Sequence, residues 1–344
     1  MKKLLLMIAL MISVTVFMSC KKNKDNISVE NKEALNQTMF ADQTEGKSIT
    51  FVTTGAWTSS ITEKTPKSTK SGTWLSMNPY FGNAAGTYTI TIKLEPNATG
   101  VERTALIILT CNDTDIHINI TQKATTEDGE TIVKLLEAVT DGNGVLGYKY
   151  EYDNLNRIER ISFGETYSAK FIYNDGELVR IEKGAETEEY NKIGNTITIT
   201  VKSGEYVNTS KLYLNEDNLP SKYEYEYGIL SSIKNYQYLN GNVNKIFGTQ
   251  TLDGHITEHS IEYEYDNMKS PFYNCKTPKW YMIWYFQERN SGTLNNIIRV
   301  NGTENYVKGD YQYEYDLDGF PTKQIYTNYV GEKFQGGFKY IIRN

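Results

Sequence analysis

The chain has 344 residues and a formal net charge of −6 at pH 7, from 36 lysines and arginines against 42 aspartates and glutamates. An acidic chain repels phosphate backbones, and no basic stripe alternates with aromatic residues, so the composition argues against nucleic acid as a partner. The length is enough for two domains, and the three cysteines are too few for a disulfide framework.

The first residues have the pattern of a secretory signal. Lys2 and Lys3 precede an apolar run from Leu4 to Met18, which is shorter than the ~20 residues that span a bilayer. The run ends in Val16-Phe17-Met18-Ser19-Cys20, which resembles the lipobox of bacterial lipoproteins and implies a lipid on Cys20. The alternative is an ordinary secreted protein in which Cys20 is a free thiol. We therefore predict a signal peptide at residues 1–19 and a polar tether at residues 20–32.

Alternating β-branched residues fill the region from about Gly46 to Ala124. In Ser48–Val52, Tyr88–Leu94 and Ile116–Thr121, apolar and polar side chains alternate with the period of two that is typical of a half-buried strand. Turn residues divide these segments. Several short strands in about eighty residues predict an antiparallel β-sandwich, which we assign to residues 33–124.

The same region resembles a known family. The motifs of a BACON domain occur in order at Phe51, Trp57, Trp74–Pro79, Gly82, Asn97, Arg103–Ala105 and Ile118–Gln122. That name stands for Bacteroidetes-associated, carbohydrate-binding, often N-terminal. The resemblance implies an immunoglobulin-like sandwich in an envelope protein, with a proposed role in sugar binding. Trp57 and Trp74 are candidate ligand platforms because sugars stack on aromatic faces; the alternative is that both rings pack in the core.

A polar linker at residues 125–130 precedes a second domain, residues 131–344, that is built on a repeat. A tyrosine is followed within two residues by Asp or Asn, then by a short turn and an apolar residue. Each unit predicts a β-hairpin, because Asn, Asp and Gly tolerate the positive φ of tight turns. The copies begin at Tyr152, Tyr173, Tyr213, Tyr238 and Tyr315, with degenerate copies at Tyr265 and Tyr285.

Within these strands the tyrosines alternate with polar residues, as in Tyr148–Asp153, Tyr223–Tyr227 and Tyr311–Asp316. Consecutive hairpins are expected to form an antiparallel meander that curls over its aromatic face into a half-open or closed barrel, so the predicted fold class of the chain is all-β. The units resemble the YD repeats of bacterial surface proteins, and the region is similar to a Bacteroidetes family with a porin-like fold. Charged residues opposite the tyrosines favour a soluble barrel over a membrane barrel, whose outer face is apolar.

Residues with catalytic or metal-binding chemistry are sparse. His255 and His259 would share a strand face about 13 Å apart, too far to hold one ion, so no metal site is predicted. Glu224 and Glu226 alternate along a strand, which favours a solvated sheet face over the paired carboxylates of a glycosidase. No phosphate-binding loop or nucleophile elbow occurs in the sequence. The sequence therefore predicts neither a catalytic residue nor a cofactor.

One stretch, Pro271–Phe286, departs from the alternation. As a strand from Trp280 it would place Trp280 and Trp284 on one face and Tyr281 on the other, so both faces are apolar. Such a strand is covered on both sides, which is the favoured interpretation, or one aromatic face is open to a ligand. Trp280, Tyr281 and Trp284 are the candidate ligand-binding residues of the second domain.

Two functions fit these patterns. One is a non-catalytic binding or display module of the cell envelope, anchored by lipid at the outer membrane, with a glycan as its partner. The other is a structural spacer or assembly component that recognises another envelope protein along a sheet edge. Lys21–Asp25 lacks the acidic run associated with surface export, so both sides of the membrane stay open.

Overall fold

The computed structural model describes residues 26–63, 74–164, 167–286, 293–303 and 308–343. These residues form an almost entirely β structure, which confirms the predicted fold class. The signal segment and Cys20 lie outside the described residues. The predicted tether is wrong at its C-terminal end, where Ile27–Val29 forms strand β1. The reason is that Ile27 and Val29 alternate with a polar residue and both enter the core of the sandwich.

Two sheets form the N-terminal β-sandwich. Its strands are β1 (Ile27–Val29), β2 (Asn36–Met39), β3 (Ile49–Thr53), β4 (Trp57–Glu63), β5 (Leu75–Asn78), β6 (Phe81–Gly82), β7 (Gly86–Leu94), β8 (Arg103–Cys111) and β9 (Thr114–Gln122), with a short 3-10 helix at Lys32–Leu35. The strand orders are β1-β3-β7-β5 and β2-β9-β8-β4-β6. Alternate residues of β8 and β9, such as Ile107 and Ile118, are fully buried between the sheets.

The second part of the chain forms a closed antiparallel barrel in which each strand pairs with the next along the sequence. Its strands are β10 (Val133–Asp141), β11 (Leu146–Tyr152), β12 (Ile158–Phe163), β13 (Tyr167–Asn174), β14 (Glu177–Lys183), β15 (Glu186–Ile193), β16 (Thr196–Ser203), β17 (Tyr206–Leu214), β18 (Pro220–Tyr227), β19 (Leu230–Leu239), β20 (Asn242–Leu252), β21 (His255–Lys269), β22 (Asn295–Gly302), β23 (Gly309–Tyr315), β24 (Pro321–Asn328) and β25 (Lys333–Arg343). Closure comes from β10 and β25, which pair from Val133 with Arg343 to Asp141 with Gly336.

The turn of the repeat is held by its Asp or Asn side chain. Asp153 Oδ1 accepts hydrogen bonds from the backbone N–H groups two and four residues ahead, at 3.0 and 2.9 Å. Asn156, the fourth residue of this turn, has a φ of 62°. Asn215 and Asp316 make the same pair of bonds in their own turns. In the turn, these backbone N–H groups have no partner in a neighbouring strand, and the Asp or Asn side chain accepts their hydrogen bonds instead. This explains why the repeat needs Asp or Asn.

In the repeat copies at Tyr152, Tyr173 and Tyr238, the tyrosine joins its strand to the strand before it. The hydroxyl of Tyr152, in β11, donates to the carbonyl of Leu136, in β10, at 2.8 Å. Tyr173, Tyr238 and Tyr340 donate in the same way to carbonyls near the start of the preceding strand. The ring fills the lumen while the hydroxyl satisfies a backbone acceptor, so one residue type serves both packing and polar pairing.

We expect Tyr152→Phe to lower the free energy of unfolding by about 1 to 2 kcal/mol, because the Leu136 carbonyl loses a donor at a buried position. Tyr227→Phe is the matched control, since Tyr227 is 50% exposed and its hydroxyl can exchange protein partners for water. Urea unfolding followed by circular dichroism measures both. Equal stability of the two variants would contradict the role of the hydroxyl.

The stretch predicted as a doubly apolar strand is a helix, α1 (Lys279–Phe286), inside the barrel. Pro278 precedes it, and the Pro278 carbonyl accepts the N–H groups of Tyr281 and Met282 in the first turn. A helix surrounded by barrel walls needs apolar side chains on every side, and that pattern gives two apolar faces when it is drawn as a strand. The apolar pattern therefore indicates burial correctly, but the predicted strand is wrong.

The connection from β21 to β22, which carries α1, marks one end of the barrel, here called the plugged end. It is tied to neighbouring turns and strands there: Lys276 N–H donates to the Asn156 carbonyl at 2.9 Å, and Ile158 N–H donates to Thr277 Oγ1 at 2.8 Å. The opposite end, here called the mouth, carries the turns that follow β10, β12, β14, β16, β18, β20 and β24. In the described ranges, no helix has the length and apolarity to cross a membrane.

The sandwich contacts the barrel at the plugged end. Leu317, in the turn between β23 and β24, packs against the core of the sandwich. Next to it, Arg103 Nη1 lies 3.6 Å from Asp318 Oδ1, and Lys134 Nζ lies 2.6 Å from Asp318 Oδ2. A single buried carboxylate therefore joins a cation of the sandwich to a cation of the barrel. The predicted linker is a tight turn closed by a bridge between Thr125 and Thr131.

Candidate functional site

A cavity of about 710 Å³, here called the lumen cavity, occupies the barrel on the mouth side of α1. Tyrosine rings and polar side chains share its wall. The tyrosines are Tyr223, Tyr225, Tyr263, Tyr311 and Tyr326, and the polar residues are Ser232, Lys234, Gln250, Thr257, His259 and Thr303. This mixture of flat rings and hydrogen-bonding groups is typical of a small-molecule site in the mouth of a barrel.

The strand register explains why polar side chains face inward here. Tyr225 of β18 lies opposite Ser232 of β19, which lies opposite Gln250 of β20, which lies opposite Thr257 of β21. Residues directly opposite each other point to the same face of a sheet. Because Tyr225 points into the barrel, the other three side chains of the row point inward too. The row crosses four strands and forms one wall of the lumen cavity.

The floor of the lumen cavity is apolar. Ile283 of α1 packs with Tyr236, Ile246 and Ile297 in a buried cluster beneath the polar row. Tyr223 packs against this floor, and its ring centroid lies 5.7 Å from that of Trp284 in α1. Burial raises the pKa of Tyr223, so its hydroxyl stays protonated and can donate at neutral pH. The cavity is therefore closed toward the plugged end.

Stacked rings on β23 and β24 form a further part of the cavity wall. Tyr311 and Tyr326 lie 4.7 Å apart with an interplanar angle of 25°. Tyr326 lies across Gly309, where an added Cβ would come within 2.2 Å of the ring. Glycine at this position therefore lets Tyr326 lie flat along the wall. A flat ring surface that faces a cavity suits the apolar face of a sugar or another ring.

The mouth is bordered by exposed apolar side chains. They lie in or next to the mouth turns, whereas the outer wall between the two ends carries ion pairs, such as Lys202 with Glu189 at 2.7 Å and Lys245 with Glu262 at 2.8 Å. The exposed apolar residues of the mouth are Val145, Leu146, Phe163, Tyr167, Tyr206, Val207, Tyr227, Ile229, Leu252, Ile256, Tyr329, Val330 and Phe334.

The aromatic residues proposed from the sequence as ligand platforms do not form an open surface. Trp57, Trp74, Trp280 and Tyr281 are all at most 3% exposed, so the open-platform interpretation is wrong for these four. The reason for the two in α1 is that the helix lies within the barrel core, where Trp280 packs on Tyr190 with centroids 5.4 Å apart. Trp284 is half-buried on the same helix.

The signature residues of the sandwich hold its own end together. Arg103 Nε donates to Gln122 Oε1 at 2.9 Å, and the guanidinium lies 4.5 Å from the centroid of the Trp74 ring. Asn97 Nδ2 donates to the carbonyls of Val101 and Lys123, both at 2.8 Å. These contacts give the motif residues a structural role and leave no ring of the motif facing solvent.

The carboxylates considered for catalysis lie on the outer wall. Glu224 accepts a hydrogen bond from Tyr213 at 2.7 Å and pairs with Lys222 at 2.5 Å. The hydrogen bond from Lys222 lowers the pKa of Glu224, which is opposite to what a general acid needs. His259 lines the lumen cavity. Among the residues that the structure describes, no group of three or more His, Cys, Asp or Glu side chains could hold a metal ion.

The lumen residues were missed at the sequence level. Ser232, Gln250 and Thr257 are ordinary strand residues in the sequence, and only the register that places them opposite an inward tyrosine marks them as part of one wall. They could have been found by taking the inward face of β18 from its alternating tyrosines and following the strand pairing through the next three strands, β19 to β21.

Comparison with known proteins supports the sandwich assignment. The BACON family, described as "Putative binding domain, N-terminal", matches residues 52–123. No curated protein matches the chain. Among solved structures, the chain is similar to a Bacteroides ovatus GH5 xyloglucanase in complex with a XXXG heptasaccharide, with 24% identity, a TM-score of 0.23, and coverage of 28% of this chain and 18% of that chain.

A second solved structure is similar over more of the chain. It is a porin-like protein from Bacteroides uniformis ATCC 8492, with 12% identity, a TM-score of 0.33, and coverage of 84% of this chain and 96% of that chain. The strand pairings of this chain define its barrel.

Proposed function

We propose that the protein is a non-catalytic binding module of the cell envelope, and that its ligand is a glycan that enters the lumen cavity through the mouth. The observation that carries this proposal is the wall of the cavity, where tyrosine rings lie together with hydroxyl, amide and amino groups. A sugar needs both, since its C–H faces stack on aromatic rings and its hydroxyls must keep hydrogen-bond partners. The BACON match over residues 52–123 relates the sandwich to a family described as a binding domain, although in this proposal the ligand lies in the barrel.

In this proposal the sandwich acts as a spacer. Asn26, the first described residue, donates to Thr114 Oγ1 at 3.3 Å, beside the turn between β8 and β9. Arg103, at the other end of β8, contacts Asp318 of the barrel. Strand β8 spans about 30 Å at about 3.3 Å per residue, so the start of the described chain and the barrel lie at opposite ends of the sandwich. A lipid on Cys20 would thus hold the mouth away from the anchoring membrane.

The proposal predicts that Ser232→Phe weakens glycan binding at least tenfold, because the new ring enters the lumen cavity. Ser231→Phe is the matched control, since the neighbouring residue points to the outer wall. A glycan array on the intact protein would identify a ligand, and isothermal titration calorimetry would then compare the variants. Equal affinities of the two variants would place the ligand elsewhere. An empty array, together with co-purification of an envelope protein, would favour an assembly component instead.

A further inference from the structure

We infer that the lumen holds a second site of different chemistry, a pocket for a neutral apolar group such as an aromatic ring or a short hydrocarbon chain. This apolar pocket has a volume of about 270 Å³ and lies between α1 and the wall formed by β10 to β14. Of the residues that the structure describes, none lines both this pocket and the lumen cavity. The site therefore stands independently of the glycan proposal.

Aromatic rings form most of the lining. Tyr281, Tyr285 and Phe286 of α1 face Tyr150 and Phe171 of the wall. The Tyr281 and Phe171 centroids are 5.5 Å apart at an interplanar angle of 88°, and Tyr281 stacks on Tyr285 at 5.3 Å and 11°. These rings hold one another in place, so the pocket keeps its shape without a ligand. A pre-formed apolar cavity favours an apolar guest because water gains few hydrogen bonds there.

The positive charge of Lys183, which lines the pocket, is neutralised by the nearby carboxylate of Glu188. Among the described residues that line the pocket, Lys183 is the charged one. Its ammonium group is hydrogen-bonded to the Glu188 carboxylate, which also accepts a hydrogen bond from the Tyr190 hydroxyl. Lys183 Nζ also lies 5.4 Å from the centroid of the Tyr285 ring. Because Glu188 already neutralises this cation, an anionic ligand would compete with a buried carboxylate. The chemistry of the lining therefore selects a neutral guest.

Size and access support the same class of ligand. An apolar cavity of about 150 Å³ is enough for benzene, so the larger pocket has room for a substituted ring or a short chain. Tyr148 lies near the mouth in the lining, with its ring centroid 5.1 Å from that of Phe163. Phe163 and Tyr167 are 49% and 38% exposed at the mouth, so an apolar group meets apolar surface before it enters.

The neutral dye N-phenyl-1-naphthylamine tests this site, because its fluorescence rises in apolar surroundings. We expect saturable binding to the intact protein and at least tenfold weaker binding to Ala169→Phe, which fills the pocket from β13. Ser232→Phe, which fills the lumen cavity, should bind the dye as the unaltered protein does. If Ala169→Phe does not fold, Val139→Phe fills the same pocket from β10.

Several results would overturn the inference. They are no saturable dye binding, equal affinity of the filled and unfilled proteins, or tighter binding of the anionic dye 1-anilinonaphthalene-8-sulfonate than of the neutral one. Dye bound only by the exposed residues of the mouth would give the second result. Failure of glycan binding leaves this test unaffected, because the two variants fill different cavities.

Discussion

Replacing Trp280 by alanine is expected to lower the free energy of unfolding by about 3 to 5 kcal/mol, the usual loss for a large buried aromatic side chain. Trp280 is 3% exposed and packs edge to face on Tyr190 and Tyr281, with centroids 5.4 and 5.8 Å away. Removing the ring leaves a hole at the centre of the barrel core, between the helix and the wall. Guanidinium unfolding followed by far-ultraviolet circular dichroism measures the loss.

Two further variants sharpen that test. Trp280→Phe should cost much less than the alanine variant, because it keeps a ring and because Trp280 Nε1 has no hydrogen-bond partner among the described residues. Tyr329→Ala removes a ring that is 56% exposed at the mouth and should change stability by less than about 1 kcal/mol. If Trp280→Ala were as stable as Tyr329→Ala, the helix would not be the centre of the barrel core.

Replacing Asp318 by alanine is expected to cost about 3 to 5 kcal/mol, the usual effect of removing one partner from a buried ion pair. The carboxylate lies between Arg103, whose side chain is 2% exposed, and Lys134, whose side chain is 12% exposed. Burial lowers the pKa of Arg103; burial also opposes the charge of Lys134, but Asp318 and Asp316 outweigh it and raise the pKa of Lys134. Without Asp318, both cations lose a partner where water cannot replace it.

Glu189→Ala is the control for Asp318→Ala. Glu189 pairs with Lys202 at 2.7 Å on the outer wall, where both side chains are more than 40% exposed. Such surface pairs contribute about 0 to 1 kcal/mol, so this variant should unfold almost as the unaltered protein does. Comparable small losses for both variants, measured by the same guanidinium titration, would show that Asp318 does not join the sandwich to the barrel.

The turns and strand faces of the barrel could be predicted because their causes are local. Asp175-Gly176 and Asn240-Gly241 are two-residue hairpin loops in which both residues have positive φ, as Asp-Gly and Asn-Gly sequences predict. Tyr150 and Tyr152 are buried on the inner face, as the alternation predicts. Closure of the barrel depends on the pairing of β10 with β25, which are far apart in sequence, so local pattern left half-open and closed forms equally possible.

Two of the predicted repeat copies, at Tyr213 and Tyr285, do not have the expected structure. At Tyr213 the repeat is out of phase, because Asn215 holds the turn and Leu214 takes the inward place, so Tyr213 points outward to Glu224. Tyr285 was interpreted as a degenerate repeat copy but lies in α1. A short apolar run has no periodicity that separates a buried strand from a buried helix, so the helix and both cavities beside it could not be predicted.

Protection of a lumen cysteine by bound ligand is a direct test of the proposed site. Thr257→Cys, placed in a protein with serine at positions 20 and 275, puts an accessible thiol in the wall of the lumen cavity. Gln312→Cys puts one on the exposed outer face of β23. With a glycan bound, we predict that maleimide labelling of Cys at position 257 slows at least tenfold while labelling at position 312 is unchanged. If saturating glycan left the labelling rate at position 257 unchanged, as it should at position 312, that result would contradict a ligand site in the lumen.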